Sequence, residues 1–449
     1  VLAVDEVLVA DWVLTVDAAD RVVERGAVSL AGELIAAVGP AEEVLAAHPA
    51  APVTRLQGHA LLPGFVNCHT HLAMTMFRGL ADDRDLDAFL ATVMPAERRV
   101  LDAERVHLAT RAAAVESVLA GVTTALDMYF FVDESLAAAA EVGLRLLTGP
   151  VALDAGGPDL PAPAEVSGDR VLRWAQRWLE QHPARPGWRP VVGPHATYTV
   201  SPPLLRDLGA LAAEHGAVLH VHAAETDGEC RLVRDLHGLR PVALLEDLGL
   251  LAPRTVLAHA VHLDDRELEA VAASGAAVAH CPSSNLKLAS GVARVPELLR
   301  QGAVVGLGTD GPASSNDLDL LGAARLAALL HKGVGPGGRG DPTALPAAQV
   351  LRLLTACGAA AVGLGDELGS LEPGRRADVV AVDLDRPHTQ PVYDPVSAVV
   401  YAAGRDDVRH VWSDGRRVVR DGEPVGVERS RVVSDLAGLR QVVAAALDA

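Results

Sequence analysis

The chain has 449 residues, half of them apolar, and a formal charge of −19 at pH 7; that is room for an α/β barrel of about 250 residues plus a smaller unit. The acidic balance is offset by no lysine or arginine cluster, which argues against nucleic acid as a partner. The four cysteines (Cys68, Cys230, Cys281 and Cys357) form no CxxC pair, which argues against a disulfide framework and a cysteine-zinc site.

Residues 1–58 read as short β-segments, among them 6–16 and 27–38, punctuated by Gly26, Gly32 and Gly39. This beginning carries Asp5, Glu6 and Asp11 where a secretory leader has basic residues. No run of about 18 uninterrupted apolar residues follows to span a membrane. A cytoplasmic protein that engages no membrane is therefore expected.

Eight short apolar runs come next, at 61–71, 123–128, 145–153, 190–200, 218–226, 255–263, 277–284 and 304–311. They alternate with amphipathic stretches such as 104–120, 203–215 and 264–273, in which apolar residues recur three and four apart. Alternating strands and helices imply a parallel sheet, and eight is the number of a barrel; a doubly wound open sheet is the alternative. Residues 318–331 and 347–362 read as further helices closing the barrel. A second β-like block begins near Gly369 and includes 377–384 and 408–419, and 434–447 reads as a terminal helix. The predicted fold is a (β/α)8 TIM-like barrel over 61–365, with a small β-sandwich built from both chain ends, 1–60 and 366–449. Neither end alone could bury a good core.

In such barrels the chemistry sits at the C-terminal ends of the strands. There the first run ends in His69-Thr70-His71, the fifth in His222 followed by Glu225, the sixth contains His259, and the eighth ends around Asp310. Residues i and i+2 of a strand face the same way, so His69 and His71 can grip one metal ion. A lone HxH is weak evidence, but candidates at three further strand ends make it a site. His220 shares a face with His222 but lies one layer deeper, so His222 is the ligand candidate and His220 a hydrogen-bonded core histidine. His262 and His280 read as structural, and His107, His215 and His237 as surface residues.

Several segments resemble the amidohydrolase superfamily: Leu62-Pro63-Gly64-Phe65-Val66-Asn67-Cys68-His69-Thr70-His71, His222-Ala223-Ala224-Glu225-Thr226, Leu257-Ala258-His259 and Gly308-Thr309-Asp310-Gly311. Within it, Met94-Pro95-Ala96-Glu97, Asp127-Met128-Tyr129, Gly193-Pro194-His195, Ser284-Asn285-Leu286-Lys287-Leu288 and Asp310-Gly311-Pro312-Ala313-Ser314 are similar to the 5'-methylthioadenosine/S-adenosylhomocysteine deaminases. Many superfamily members bridge two metals with a carboxylated lysine on an earlier strand. Here the first lysine is Lys287, at the seventh run, so one divalent metal per chain is expected, zinc by resemblance, with iron as the other option.

The resemblance implies hydrolytic deamination of an aminopurine nucleoside with release of ammonia. His69, His71, His222 and Asp310 would hold the metal, and Asp310 would also take a proton from water. His259 would orient that water, and Glu225 would protonate the ring nitrogen beside the attacked carbon. Glu97 would accept the ribose hydroxyls and His195 would contact the purine. A homo-oligomer is implied as well. Where the family has an arginine late in the third run, this chain reads Thr148-Gly149-Pro150, and 154–169 contains acids and no basic residue. A neutral nucleoside is thus expected rather than one carrying a homocysteine carboxylate.

Other readings are a free-base deaminase for guanine or 8-oxoguanine, or a triazine hydrolase, whose substrates would offer Glu97 no diol. A non-catalytic scaffold should have lost ligands, and none is missing.

Overall fold

The computed structural model describes residues 3–154, 168–334 and 340–448. Most of the acidic stretch read after the third run, residues 155–167, lies outside the described residues.

The chain opens with β1 (Glu6–Leu14), β2 (Val22–Ala31), β3 (Leu34–Pro40) and β4 (Val53–Pro63). The central strands are β5 (Phe65–Thr70), β6 (Val122–Asp127), β7 (Arg145–Leu147), β8 (Val151–Ala152), β9 (Val191–Pro194), β10 (Val218–Ala223), β11 (Thr255–His259), β12 (Ala277–His280) and β13 (Val304–Leu307). The chain finishes with β14 (Val379–Asp383), β15 (Val408–Ser413), β16 (Arg416–Arg420) and β17 (Glu423–Pro424).

Both ends of the chain meet in one eight-stranded sheet, ordered β17-β16-β15-β14-β4-β1-β2-β3. The seam is the antiparallel pair β4 and β14, running from Pro63 opposite Val379 to His59 opposite Asp383. Leu8, Ile35 and Leu61 from one end cluster with Val379 and Trp412 from the other. Burying such side chains contributes roughly 1.5–3 kcal/mol each, so the two ends stabilise each other.

The central strands form two parallel sheets, β5-β6-β7 and β8 through β13. Each of the eight apolar runs supplies a strand, but the third is divided into β7 and β8. Gly149-Pro150 breaks it: a β-carbon on Gly149 would sit 1.8 Å from the Val191 carbonyl oxygen, and the Pro150 carbonyl accepts the Gly193 N–H at 2.9 Å. Parallel pairing brings the C-terminal strand ends of each sheet to the same side. The Asp310 N–H donates to the His69 carbonyl at 3.0 Å, so the ends of the first and last runs lie side by side. All residues of β5, β6, β10, β11 and β12 are buried, which is why these strands read as continuous apolar runs rather than as alternations.

The helix α1 (Leu86–Val100) had no counterpart in the sequence reading. Its N-cap Asp85 accepts the Ala88 N–H, and Pro95 within it masks a pattern that would otherwise read as helical. It is followed by α2 (Ala103–Leu119), capped by Asp102. The stretch 347–362 is two helices, Ala347–Leu354 and Ala356–Ala361, interrupted at Thr355 with φ −129° and ψ −90°. The terminal helix α3 (Arg429–Asp448) starts ahead of its predicted beginning. Its Leu439 and Val443 pack with Phe89, Val93 and Val106, and Arg99 donates to the Ala446 carbonyl at 2.7 Å. The last helix therefore backs α1, which matters below because α1 walls the site. Among the described residues, no helix is long and apolar enough to cross a membrane.

A buried ion pair joins the central strands to the terminal sheet. Arg145, at the start of β7, donates to both carboxylate oxygens of Asp378 and to Asp414. The guanidinium and the Asp378 carboxylate are almost wholly out of water, so removing one partner leaves an uncompensated charge. Asp378→Ala is expected to lower stability by about 3–5 kcal/mol, read as a fall in the urea midpoint. An unchanged midpoint would show that this junction carries no stability.

Candidate active site and metal centre

The four ligand candidates come together where the strands end. His69 and His71 leave β5, His222 leaves β10, and Asp310 follows β13. Their facing atoms are close: Asp310 Oδ1 lies 3.3 Å from the Nε2 atoms of both His69 and His71. His222 Nε2 lies 3.3 Å from His71 Nε2. His69, His71 and His222 can share one ion, their ligand atoms all lying within 4.8 Å of one another, and a second group of that size joins His69, His259 and Asp310.

What makes this a potential metal centre is the other side of each ring. His71 Nδ1–H donates to the Met128 carbonyl at 2.6 Å, and His222 Nδ1–H donates to the His195 carbonyl at 2.6 Å. A carbonyl can only accept, so each ring carries a proton on Nδ1 and, in its neutral form, turns the Nε2 lone pair inward. His69 uses a third ring instead: its Nδ1 lies 2.9 Å from His220 Nε2. His220 is thus a hydrogen-bonded core histidine, as expected, and its partner is a ligand candidate. His69 Nε2 is buried without a hydrogen-bond partner among the described residues.

The charges are arranged to match. Burial pushes the His69 ring down to about 3 and the His222 ring well below its ordinary value. Burial also opposes charge on Asp310, but the His69 and His71 rings beside it outweigh that and hold the carboxylate ionised. Burial resists a proton on His71 as well, yet Asp310 lifts that ring to about 9. The cluster favours one positive charge amid neutral imidazoles, which a cation can supply. Asp310 is further anchored through Oδ2, which accepts from Ser284 Oγ and Ser314 Oγ at 2.6 Å each. Its approach to β5 needs Gly308, where a β-carbon would lie 3.0 Å from His69 Cβ.

Glu225 and His259 stand beside this cluster, with His259 Nε2 3.7 Å from Glu225 Oε2. His259 Nδ1 pairs with Asn285 Oδ1 at 2.8 Å, so its proton is held there. Ser290 Oγ donates to Glu225 Oε1 at 3.4 Å. Burial raises the Glu225 carboxyl, against the opposing pull of His259, which suits a group that must carry a proton. The turn is locked by Glu229, whose carboxylate accepts the backbone N–H groups of Ala224 and Glu225 at 3.0 and 2.7 Å. His259 and Asp310 both adopt left-handed backbone, φ 72° and 59°. Such conformations cost about 1–3 kcal/mol and cluster at functional sites.

Glu97 sits in the last turn of α1, where the N–H of the C-cap residue Leu101 bonds back to the Glu97 carbonyl. Its side chain is buried and accepts from the Tyr129 hydroxyl. Burial lifts the Glu97 carboxyl to about 7 despite that bond. His195 Nδ1 pairs with Thr199 Oγ1 at 2.9 Å, and burial lowers its ring to about 4. Both line the same cleft as His71, His222, Glu225, His259 and Asp310, with about 800 Å³ of space including its mouth. Every predicted site residue except His69 lines that cleft, and His69 is buried beneath it.

The other histidines and Lys287 lie apart from the cleft lining. His262 Nε2 pairs with the Ser290 carbonyl at 2.6 Å, His280 is buried against His331, and Lys287 is tied to Asp82 at 2.7 Å. Sequence reasoning gave no role to Ser284, Asn285 and Ser314, although they lie within quoted motifs. Glu229 carried no signal at all, since a helix-start acid is commonplace.

The amidohydrolase family model matches residues 60–418. A 5-methylthioadenosine/S-adenosylhomocysteine deaminase of Syntrophobacter fumaroxidans is 44% identical over 93% of both chains. A 5'-deoxyadenosine deaminase of Methanothermobacter thermautotrophicus is 40% identical over 84% of this chain and 86% of its own. The crystal structure of an adenosine deaminase from Xanthomonas campestris with bound zinc superposes with a TM-score of 0.93 at 35% identity, covering 98% of this chain and 99% of that one. The chain belongs to the amidohydrolase family.

Proposed function

We propose that the protein is a metal-dependent aminohydrolase that deaminates adenosine-type nucleosides and releases ammonia, using one divalent ion per chain held by His69, His71, His222 and Asp310. The observation that carries the reading is the convergence of the Nε2 atoms of His69, His71 and His222 with Asp310 Oδ1, two of the rings being turned inward by carbonyls behind them, beside a buried carboxyl, Glu225. The similarity to deaminases of adenosine-type nucleosides supports it. Three imidazoles and one carboxylate suit zinc, with iron the other option. The same reading takes the two parallel sheets as a closed (β/α)8 barrel over 61–365, and the terminal sheet, from 1–60 and 366–449, as a small sandwich.

When bound, the ion supplies Lewis acidity that lowers the pKa of water from about 16 towards neutrality. The protein residues do the rest. Asp310 takes a proton from the attacking water at its carboxylate. His259, its Nδ1–H committed to Asn285, presents Nε2 to that water and orients it. Glu225 delivers its proton to the purine ring nitrogen beside the attacked carbon, then takes the second proton of the added water and relays it to the amino group as its bond to carbon breaks and ammonia leaves, and the proton held by Asp310 restores Glu225. Glu97 receives the two ribose hydroxyls, and His195 meets the purine.

Glu225→Gln keeps the shape but cannot carry the proton. Its kcat is expected to fall by about 10²–10⁴ with metal content unchanged by elemental analysis; loss of metal would remove the assigned role. For Glu97→Ala, the KM for nucleosides should rise by about 10²-fold while that for any free base processed changes little. Equal effects on both would show that Glu97 does not read the ribose.

A further inference from the structure

Resting on the nucleoside reading, we propose that the stripe of α1 running from Glu97 back to Leu86 is the sleeve for the 5' substituent, and that it selects an uncharged, apolar tail. Leu86, Leu90, Val93 and Glu97 are spaced by four, three and four residues, so they share one face of the helix, and all four line the cleft. At about 1.5 Å per residue the stripe extends about 10 Å from Glu97 to Leu90. A ribose held by its diol at Glu97, with its base at Glu225 and Asp310, has its 5' carbon free to run along this stripe. Phe130 and Leu153 also line the cleft.

Charge points the same way. Among the described residues the cleft lining contains no lysine or arginine, and its carboxylates are Glu97, Glu225 and Asp310. The sequence from 155 to 167 contains neither lysine nor arginine. Lys287 is held by Asp82, Asn316 and the Ala313 carbonyl. Asp87, one residue into α1 from Leu86, is near enough to act on Tyr198, which also lines the cleft, and with Glu229 and Glu225 adds to the upward effect of burial on its hydroxyl. A tail ending in an α-amino acid would bring a carboxylate against apolar carbon and acidic groups, losing its water without gaining a partner. The sleeve therefore accepts thioether and alkyl tails and discriminates against an amino-acid terminus.

The test is kcat/KM of the zinc-loaded full chain for 5'-methylthioadenosine, 5'-butylthioadenosine and S-adenosylhomocysteine, the second matching the third in length without its charges. The two alkylthio nucleosides should be turned over comparably and S-adenosylhomocysteine on the order of 10²-fold less efficiently. Leu90→Arg, which offers the carboxylate a partner, should narrow that ratio by at least about tenfold, with folding checked by circular dichroism. S-adenosylhomocysteine within tenfold of methylthioadenosine in the unmodified chain would overturn the proposal, and its turnover then falling in Arg84→Ala would identify as its reader the exposed arginine two residues before Leu86. Butylthioadenosine as poor as S-adenosylhomocysteine would also overturn it, replacing polarity with length. Inactivity on all three would instead sink the nucleoside reading on which the proposal rests.

Discussion

Two imidazoles on the floor of the cleft, His71 and His222, are held in orientation by carbonyls behind them, and the remainder of the site is arranged around that constraint. The Met128 and His195 carbonyls fix the protons of His71 and His222, and His220 faces the Nδ1 of His69. Each of these groups belongs to, or directly follows, a strand of the parallel sheets. Parallel pairing delivers the strand ends to a common level, and the strand ends deliver the lone pairs to a common point. Asp310 completes the cluster only because its strand lies beside β5 and because Ser284 and Ser314 occupy its second oxygen.

Burial then separates the groups by role. The same desolvation that keeps His69 and His222 neutral raises Glu225 and Glu97. Asp310 escapes it through its histidine partners. One carboxylate is thus fixed as an anion while its neighbour is eased towards the protonated form, the separation that acid-base chemistry requires. Beyond this polar floor the cleft is walled largely by apolar carbon, and its wall α1 is itself backed by α3 from the far end of the chain.

Much of this was legible in the sequence, for identifiable reasons. Strands buried on both faces leave uninterrupted apolar runs, so all eight were visible, and the polar residues that ended them stood out as His69, His71, His222, Glu225, His259 and Asp310. The division of the third run was not, because Gly149-Pro150 reads as a turn only once Val191 is known to press against it. α1 was hidden by Pro95, so Glu97 was found through its motif and not through its helix. Both terminal blocks read as strand-rich and too small to bury a core apart, so their joining was expected, whereas the particular edge-to-edge pairing of β4 with β14 is a long-range contact that no local pattern encodes. The supports of the site, Glu229 above all, are hydrogen bonds made after folding and carry no periodicity to detect.

The central claim is a single metal ion at these four ligands serving the deamination of a nucleoside. The most direct measurement is ammonia release by the zinc-reconstituted protein from adenosine, 5'-methylthioadenosine, adenine, guanine and 8-oxoguanine, with zinc quantified on the same sample. The account predicts turnover confined to the nucleosides, with zinc and protein chains in equal amounts. A zinc-loaded sample that is silent throughout, or active on the free bases alone, would contradict it.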